Sequence, residues 1–340
     1  MSSKTVLITG ITGFLGAHTA IAFLRKGYRV VGTLRDRTRE ASIRALIAEH
    51  LGAPPELSCV EIDLTSPQER WDKALRGVDY VAHIASPFPT RIPETDAEIV
   101  EPAVTGTLNV LRAATAHAVT RVIVCSSTGA AVYGRRKVGI FTEADWTDVT
   151  NLADTTPYFR SKTLAERAAW EYVEVTAAAP ELVTILPGAI LGPVLEKDFG
   201  TSANIVKKML DGSMPAVPKI GLDCVDVRSV AEAFVRAVEV PSAAGERFLC
   251  SSDYLTFADI SATLKKAYPD RKVPTARLPD FLVRLFSYVD PETKPILNDL
   301  NSERRIDHTK ITTMLGLEFI GKEKLILDCA ASLFTQRILS

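Results

Sequence analysis

Val6-Leu7-Ile8-Thr9-Gly10-Ile11-Thr12-Gly13-Phe14-Leu15-Gly16 is an apolar run that breaks into three glycines. An apolar-periodic segment from His18 to Lys26 follows, closed by Gly27. A short apolar run without alternation is the pattern of a strand buried on both faces, as in a parallel sheet. The GxxGxxG spacing has a physical reading. Gly10 permits a tight turn, Gly13 lets backbone approach a pyrophosphate, and Gly16 allows close helix–strand packing. The helix N-terminus then offers its free N–H groups to an anion. Alone, three glycines describe a tight turn; placed between a first strand and a first helix, they predict a dinucleotide site.

The same alternation continues outward. Strands are expected at Thr5–Thr9, Arg29–Leu34, Ser58–Ile62, Tyr80–Ala85 and Arg121–Ser126. Helices are expected at Arg39–His50, Gln68–Leu75, Ala97–His117 and from Tyr158 to about Val175. Repeated βαβ units predict an α/β fold, a Rossmann-type doubly wound parallel sheet covered on both faces. Beyond Pro187 the regularity fails, and Pro and Gly thicken through Gly188, Gly192, Pro193, Gly212, Pro215, Pro218 and Gly221. Residues 1–187 are therefore expected to form the dinucleotide-binding domain, with 226–240 returning to it as a helix. Residues 188–225 and 241–340 are expected to form mainly a smaller C-terminal substrate-binding cap. Thr256-Phe257-Ala258-Asp259 carries a capping signal for a helix reaching Ala267.

Composition narrows the class. The 340 residues carry 40 basic and 41 acidic side chains, a formal charge of −1, which argues against nucleic-acid or membrane-surface partners. The five cysteines form no CxxC pair and the five histidines no HExxH, so neither a disulfide framework nor a metal site is expected. Met1 to Lys4 leaves no room for a leader before Val6, and no stretch reaches the ~18 apolar residues of a membrane span. A metal-free cytoplasmic protein is expected, monomeric or homodimeric.

Local charge says more than the balance. At the end of the second strand, about twenty residues beyond the glycines, an NAD site places a carboxylate for the ribose 2′-hydroxyl. Here Thr33-Leu34 is followed by Arg35, with Arg37 and Arg39 nearby and Asp36 between. A guanidinium suits a 2′-phosphate, which favours NADP over NAD. Asp63, ending the third strand, is placed to meet the adenine edge or to cap the helix that follows.

Tyr158-Phe159-Arg160-Ser161-Lys162 is a YxxxK, whose i,i+4 spacing puts phenol and ammonium on one helix face. An ammonium beside a phenol favours the phenolate and suits it to proton transfer near neutral pH. Upstream, Val122-Ile123-Val124-Cys125 ends in three hydroxyls, Ser126, Ser127 and Thr128, at the carboxyl end of a parallel strand, where open α/β sheets place ligands.

With Asp63-Leu64, His83-Ile84-Ala85-Ser86-Pro87, Thr105-Gly106-Thr107-Leu108-Asn109, Pro187-Gly188, Gly192-Pro193 and Asp226-Val227-Arg228, these pieces resemble an extended short-chain dehydrogenase/reductase from end to end. The His-Ile-Ala-Ser-Pro run and Thr33-Leu34-Arg35-Asp36 look like the dihydroflavonol reductase, cinnamoyl-CoA reductase and aldehyde reductase branch, which reduces carbonyls with NADPH. The resemblance implies Tyr158 as proton donor, Lys162 as holder of the nicotinamide ribose, and Ser127 as orienter of the carbonyl oxygen. It implies cofactor contacts at Gly10, Thr12, Gly13, Phe14, Leu15, Gly16, Arg35, Asp63, Leu64, Ile84, Ala85, Ser86, Tyr158, Lys162, Pro187, Gly188 and Ile190. Phe88, Pro89, Tyr133, Phe159 and Ile190 are candidate walls for a small-molecule carbonyl substrate. Ser127 to Gly134 also resembles the nucleotide-sugar epimerase/dehydratase pattern. Ser127 and Thr128 therefore both stand as the working hydroxyl, and an NAD-dependent sugar-nucleotide enzyme remains the alternative.

Overall fold

Thr5–Thr9 forms β1, with Val6 and Ile8 turned to one core and Leu7 to the other, as a strand covered on both faces requires. The computed structural model describes residues 3–87, 95–135, 139–197, 199–289 and 295–340. After β1 come α1 (Phe14–Arg25), β2 (Arg29–Leu34), α2 (Glu40–Leu51), β3 (Leu57–Glu61), α3 (Gln68–Ala74), β4 (Tyr80–His83), α4 (Ala97–Ala116) and β5 (Arg121–Cys125). The chain continues through β6 (Ile140–Phe141), α5 (Pro157–Val175), β7 (Glu181–Pro187), β8 (Ala189–Leu191), α6 (Thr201–Leu210), β9 (Gly221–Asp226) and α7 (Val227–Glu239). It ends with β10 (Arg247–Cys250), β11 (Asp253–Thr256), α8 (Phe257–Ala267), α9 (Asp280–Val289), β12 (Arg305–Ile306), α10 (Thr309–Leu315) and α11 (Lys322–Thr335).

Seven strands make one sheet in the order β10-β7-β5-β4-β1-β2-β3, and every pairing in it is parallel. The expected doubly wound Rossmann-type sheet is present. Strand order reverses between β1 and β4, which opens a crevice at the carboxyl ends of those two strands, the place where such sheets bind ligands. One face is covered by a core that includes Phe23, Ile43, Phe234 and Ile311, the other by Trp71, Val110, Leu111 and Ala169. Burying a side chain the size of Val, Leu, Ile or Phe contributes about 1.5–3 kcal/mol. At the amino ends, Arg121 of β5 donates to the carbonyls of Ala237 and Val240 at 2.6 and 2.8 Å, satisfying groups that the end of α7 leaves open.

The helix expected at 226–240 is α7, and it packs under the sheet against α1. The sheet claims more of the C-terminal half than expected, however. β10 pairs with β7 at the sheet edge, and Ile311, Leu315 and Leu317 enter the same core, so residues 241–340 divide between sheet and cap. A separate core holds Val206, Met209, Leu255, Phe257, Ile260, Leu325, Ile326 and Leu333. Around it lie the three-stranded sheet β11-β9-β8 and helices α6, α8 and α11. Thr256 and Asp259 form the expected capping box of α8.

Candidate active site

α1 begins at Phe14, four residues before the expected His18, so its N-terminus lies inside the glycine loop. Its N-cap is Gly13, which is exposed, and no side chain caps it. Gly10 takes φ +70°, a left-handed conformation that favours glycine, and a Cβ there would lie 3.2 Å from Ala85 Cβ. At Gly16 a Cβ would run into the Gly10 carbonyl oxygen. Gly10 N–H donates to Thr33 Oγ1 at 3.1 Å and Ile11 N–H to the Thr33 carbonyl at 3.0 Å, fastening the loop to the end of β2. The uncapped helix end beside a cradle with no room for side chains fits a dinucleotide pyrophosphate.

Thr9 organises the other side of the crevice. Its Oγ1 accepts the N–H groups of Ile84 and Ala85, each at 2.9 Å, so its own proton is left for His83 Nδ1 at 3.0 Å. That places the ring proton on Nε2, 3.3 Å from Thr107 Oγ1, which in turn donates to the Ala103 carbonyl. Burial, reinforced by the Lys162 ammonium, pushes His83 down to about 3, in keeping with this neutral ring. Ile84, Ala85 and Ser86 thus follow β4 at the crevice, each half-buried.

At the adenosine end, Arg35 is exposed and has no hydrogen bond or ion pair among the described residues. Asp36 Oδ1 accepts from Thr38 N and Oγ1 at 2.9 and 2.6 Å, which holds its carboxyl below the usual range. Arg39 does not reinforce Arg35: its Nη2 donates to both oxygens of Glu196 at 2.7 and 2.6 Å. Arg37 pairs with Glu40 at 3.7 Å. Asp63 does not cap the helix that follows, whose N-cap is Pro67 with no side-chain bond; its Oδ1 closes a local turn by accepting from Thr65 N and Oγ1 at 3.0 and 2.8 Å. Leu64 packs over Gly106, whose Cβ would lie 2.8 Å from Leu64 Cδ2.

Thr156 caps α5 by accepting from Phe159 N at 3.2 Å, and Pro157 occupies the first turn, so Tyr158 sits at the start of the helix. Lys162, one turn on, is buried and donates from Nζ to the Cys125 carbonyl at 2.9 Å, tying the YxxxK face to the carboxyl end of β5. The three hydroxyls after β5 differ. Ser126 Oγ donates to Glu166 Oε2 at 2.6 Å, so it belongs to the interior. Ser127 Oγ accepts from Gly129 N at 3.0 Å, and Thr128 makes no side-chain hydrogen bond among the described residues.

Two expected pocket walls pack on each other. The rings of Tyr133 and Phe159 stack at 3.9 Å, Tyr133 is only 7% exposed, and its hydroxyl donates to Asp299 at 3.0 Å. Phe159 also lies where a Cβ on Gly129 would fall. Phe88 and Pro89 lie outside the described residues. Pro187 is buried, Gly188 and Ile190 are half-buried, and Gly188 N donates to the Cys250 carbonyl at 3.1 Å. Past β8 the chain crosses the glycine loop: a Cβ on Gly200 would lie 3.6 Å from the Phe14 ring. His18 Nε2 donates to the Pro193 carbonyl at 2.9 Å, Val194 N to Ser332 Oγ at 2.7 Å, and Glu196 holds Arg39. Glu196, His18, Glu166 and Arg247 are the participants that motif reading missed. Only Glu166, four residues past Lys162 on the same helix face, carries a sequence signal.

The fold and this site define a nucleotide-dependent α/β enzyme, and comparison with known proteins gives the class. The model of the NAD dependent epimerase/dehydratase family matches residues 6–250, and the chain belongs to that family, the extended short-chain dehydrogenases/reductases. It is 33% identical to tetraketide alpha-pyrone reductase 1 of Arabidopsis thaliana, over 98% of this chain and 97% of that one. It is 32% identical to cinnamoyl-CoA reductase 1 of Petunia hybrida, over 98% and 93%. Among solved structures, yeast methylglyoxal/isovaleraldehyde reductase Gre2 complexed with NADPH matches with a TM-score of 0.80 and 25% identity, over 98% of this chain and all of that one. The resemblance stated from the motifs is borne out, and the protein is an NAD(P)-dependent oxidoreductase. Among the described residues no His/Cys/Asp/Glu cluster could hold a metal, and no helix is long and apolar enough to cross a membrane.

Proposed function

We propose that this chain is an NADPH-dependent carbonyl reductase that converts an aldehyde or ketone to an alcohol, with Ser127, Tyr158 and Lys162 as its catalytic set. The observation that carries this reading is the 2.9 Å bond from Lys162 Nζ to the Cys125 carbonyl. It draws the Tyr158–Lys162 face to the strand end from which Ser127 follows. Bound NADPH supplies the hydride to the carbonyl carbon. Ser127, its oxygen turned by the Gly129 N–H, has its own proton left to donate to the carbonyl oxygen; this favours Ser127 over Thr128. Tyr158 delivers a proton to the same oxygen as negative charge grows there, and Lys162 stabilises the phenolate left behind while holding the nicotinamide ribose. The glycine loop with Thr12, Phe14 and Leu15 would receive the pyrophosphate, and Arg35 the 2′-phosphate. The sheet domain, residues 1–187 with 226–240 and the strand at 247–250, would carry the cofactor, and the remaining C-terminal segments the carbonyl partner.

The test is a screen for NADPH oxidation with methylglyoxal, isovaleraldehyde, a dihydroflavonol, cinnamoyl-CoA and a sugar nucleotide. Net NADPH oxidation with a carbonyl compound is expected. Tightly held NAD⁺ with turnover of the sugar nucleotide and no net oxidation would favour the epimerase/dehydratase alternative. Tyr158→Phe is expected to lower kcat by about 100-fold or more, and turnover near the parent rate would remove Tyr158 as proton donor.

A further inference from the structure

Beneath Lys162 on the same face of α5 lies a charge that this chemistry does not use. Glu166 is 1% exposed, and its partners come from the end of β5, from β7 and β10, and from Trp170 Nε1 of α5 itself at 3.4 Å. Ser126 Oγ, after β5, donates to Oε2 at 2.6 Å, and Thr184 Oγ1 of β7 donates to Oε1 at 2.8 Å. Arg247 of β10 donates to Oε1 from Nε at 2.7 Å. Arg247 is buried as well; its Nη1 donates to the carbonyls of Glu143 and Asp145 at 2.6 and 2.9 Å, and its guanidinium lies 3.7 Å from the Trp146 ring centroid.

An ion pair so buried seldom adds stability over a packed apolar pair of the same size, because desolvation opposes the attraction. Geometry is the better account. α5 is gripped to the end of β5 at two successive residues, Lys162 Nζ on the Cys125 carbonyl and Glu166 on the Ser126 hydroxyl. Thr184 and Arg247 hold Glu166 to β7 and β10, while the Ser126 hydroxyl ties it to the end of β5, the segment that leads into Ser127. Two grips a helical turn apart, about 5.4 Å, fix both its rotation and its slide along the strand. Tyr158 lies one turn further along that face, and Ser127 is the next residue after Ser126.

We propose that Glu166, acting through the Ser126 hydroxyl, is a positioning residue that holds Tyr158 in register with Ser127. The inference rests on the assignment of Tyr158 and Ser127 above. Ser126→Ala removes the link and leaves the Glu166–Arg247 pair intact, and the Ser126 N–H still holds the Ile185 carbonyl at 2.8 Å. Single-turnover NADPH oxidation is measured for the parent, Ser126→Ala, Ser126→Thr, Tyr158→Phe and the double variant Ser126→Ala/Tyr158→Phe. The carbonyl compound is the fastest substrate of the screen above, and NADPH Kd is followed by fluorescence.

Ser126→Ala is expected to slow the single turnover by about 10- to 100-fold with NADPH Kd within about twofold of the parent. Ser126→Thr, which restores a hydroxyl, should recover most of the rate. In the Tyr158→Phe background, removing the Ser126 hydroxyl should change the rate by less than about twofold, because the group being positioned is gone. An equal fall in both backgrounds, a loss carried by Kd, or an unchanged rate in Ser126→Ala would overturn the proposal. Should Tyr158→Phe itself keep the parent rate, the assignment of the proton donor fails first, and with a different result.

Discussion

Arg35 and Arg39 stand four residues apart and are held differently. Arg39 is bound by both oxygens of Glu196, 157 residues away, while Arg35 is exposed with no partner among the described residues. Asp36, the one carboxylate between the loop's arginines, is engaged by Thr38. Arg35→Ala is therefore expected to raise the apparent KM for NADPH about 10-fold or more, the worth of a charge-assisted bond to phosphate, and to leave that for NADH nearly unchanged. Arg39→Ala should shift both cofactors by the same factor, since its guanidinium serves a protein carboxylate. Steady-state kinetics with the two nucleotides decides it, and an equal effect of Arg35→Ala on both would refute the phosphate role. The sequence shows the local arginine excess plainly. Which guanidinium is available depends on an acid beyond β8, and no local pattern carries that information. The same holds for Thr9 and His83, whose bond joins residues 74 apart.

At the scale of elements, the strands and helices of the first half fall within a few residues of where periodicity puts them. The start of α1 is the informative exception. Phe14-Leu15-Gly16 reads as loop because glycine costs about 1 kcal/mol in a helix interior; here Gly16 is needed where α1 presses on the Gly10 carbonyl. β10 was missed because its apolar run, Phe248-Leu249-Cys250, is only three residues long and follows an arginine, whose burial depends on Glu166 and on the carbonyls of Glu143 and Asp145 far away in sequence.

α1 also carries a pH dependence through His18, which burial pushes down to about 4 while its bond to the Pro193 carbonyl acts in the other direction. In the unfolded chain a histidine takes up its proton near its ordinary value of 6.5. As pH falls from about 6.5 toward about 4, the unfolded state gains a proton that the folded state refuses. Stability is thus lost as pH falls through this window, by up to about 1.4 kcal/mol per pH unit. His18→Gln can still donate to Pro193 but cannot titrate, so its stability should fall less steeply over that range than the parent's. His83 titrates with the same sign in both proteins and cancels in the difference. Urea denaturation at pH 7, 5.5 and 4.5 measures the slopes, and parallel slopes would exclude His18 as a contributor.

Across the whole molecule, the C-terminal segments meet the catalytic half at Arg304. Its guanidinium bridges Asp299 at 2.9 Å and Asp154 at 2.6 Å, and it lies 4.5 Å from the centroid of the Tyr133 ring that stacks on Phe159. The turn at 295–299 is thereby fastened to the loop preceding α5, and through the stack to Phe159, whose ring centroid lies 5.9 Å from that of Tyr158. None of this was legible in advance, because the cap bears no motif and its contacts join segments 150 and 166 residues apart. Burial already raises the Asp299 carboxyl against the pull of Arg304. Arg304→Met would leave two mostly buried carboxylates facing each other without their cation. Loss of one partner from a buried set costs about 3–5 kcal/mol; because Asp154 and Arg304 keep some contact with water, about 2 kcal/mol or more is expected here. The kinetic consequence should be selective. KM for the carbonyl substrate should rise severalfold while NADPH Kd stays at the parent value, since the clamp acts on the Tyr133–Phe159 stack and not on the cofactor cradle. Urea denaturation and NADPH titration of Arg304→Met test the two halves separately. A matching loss of NADPH affinity would show that the clamp braces the entire crevice, and the division of labour between sheet and cap would have to be abandoned.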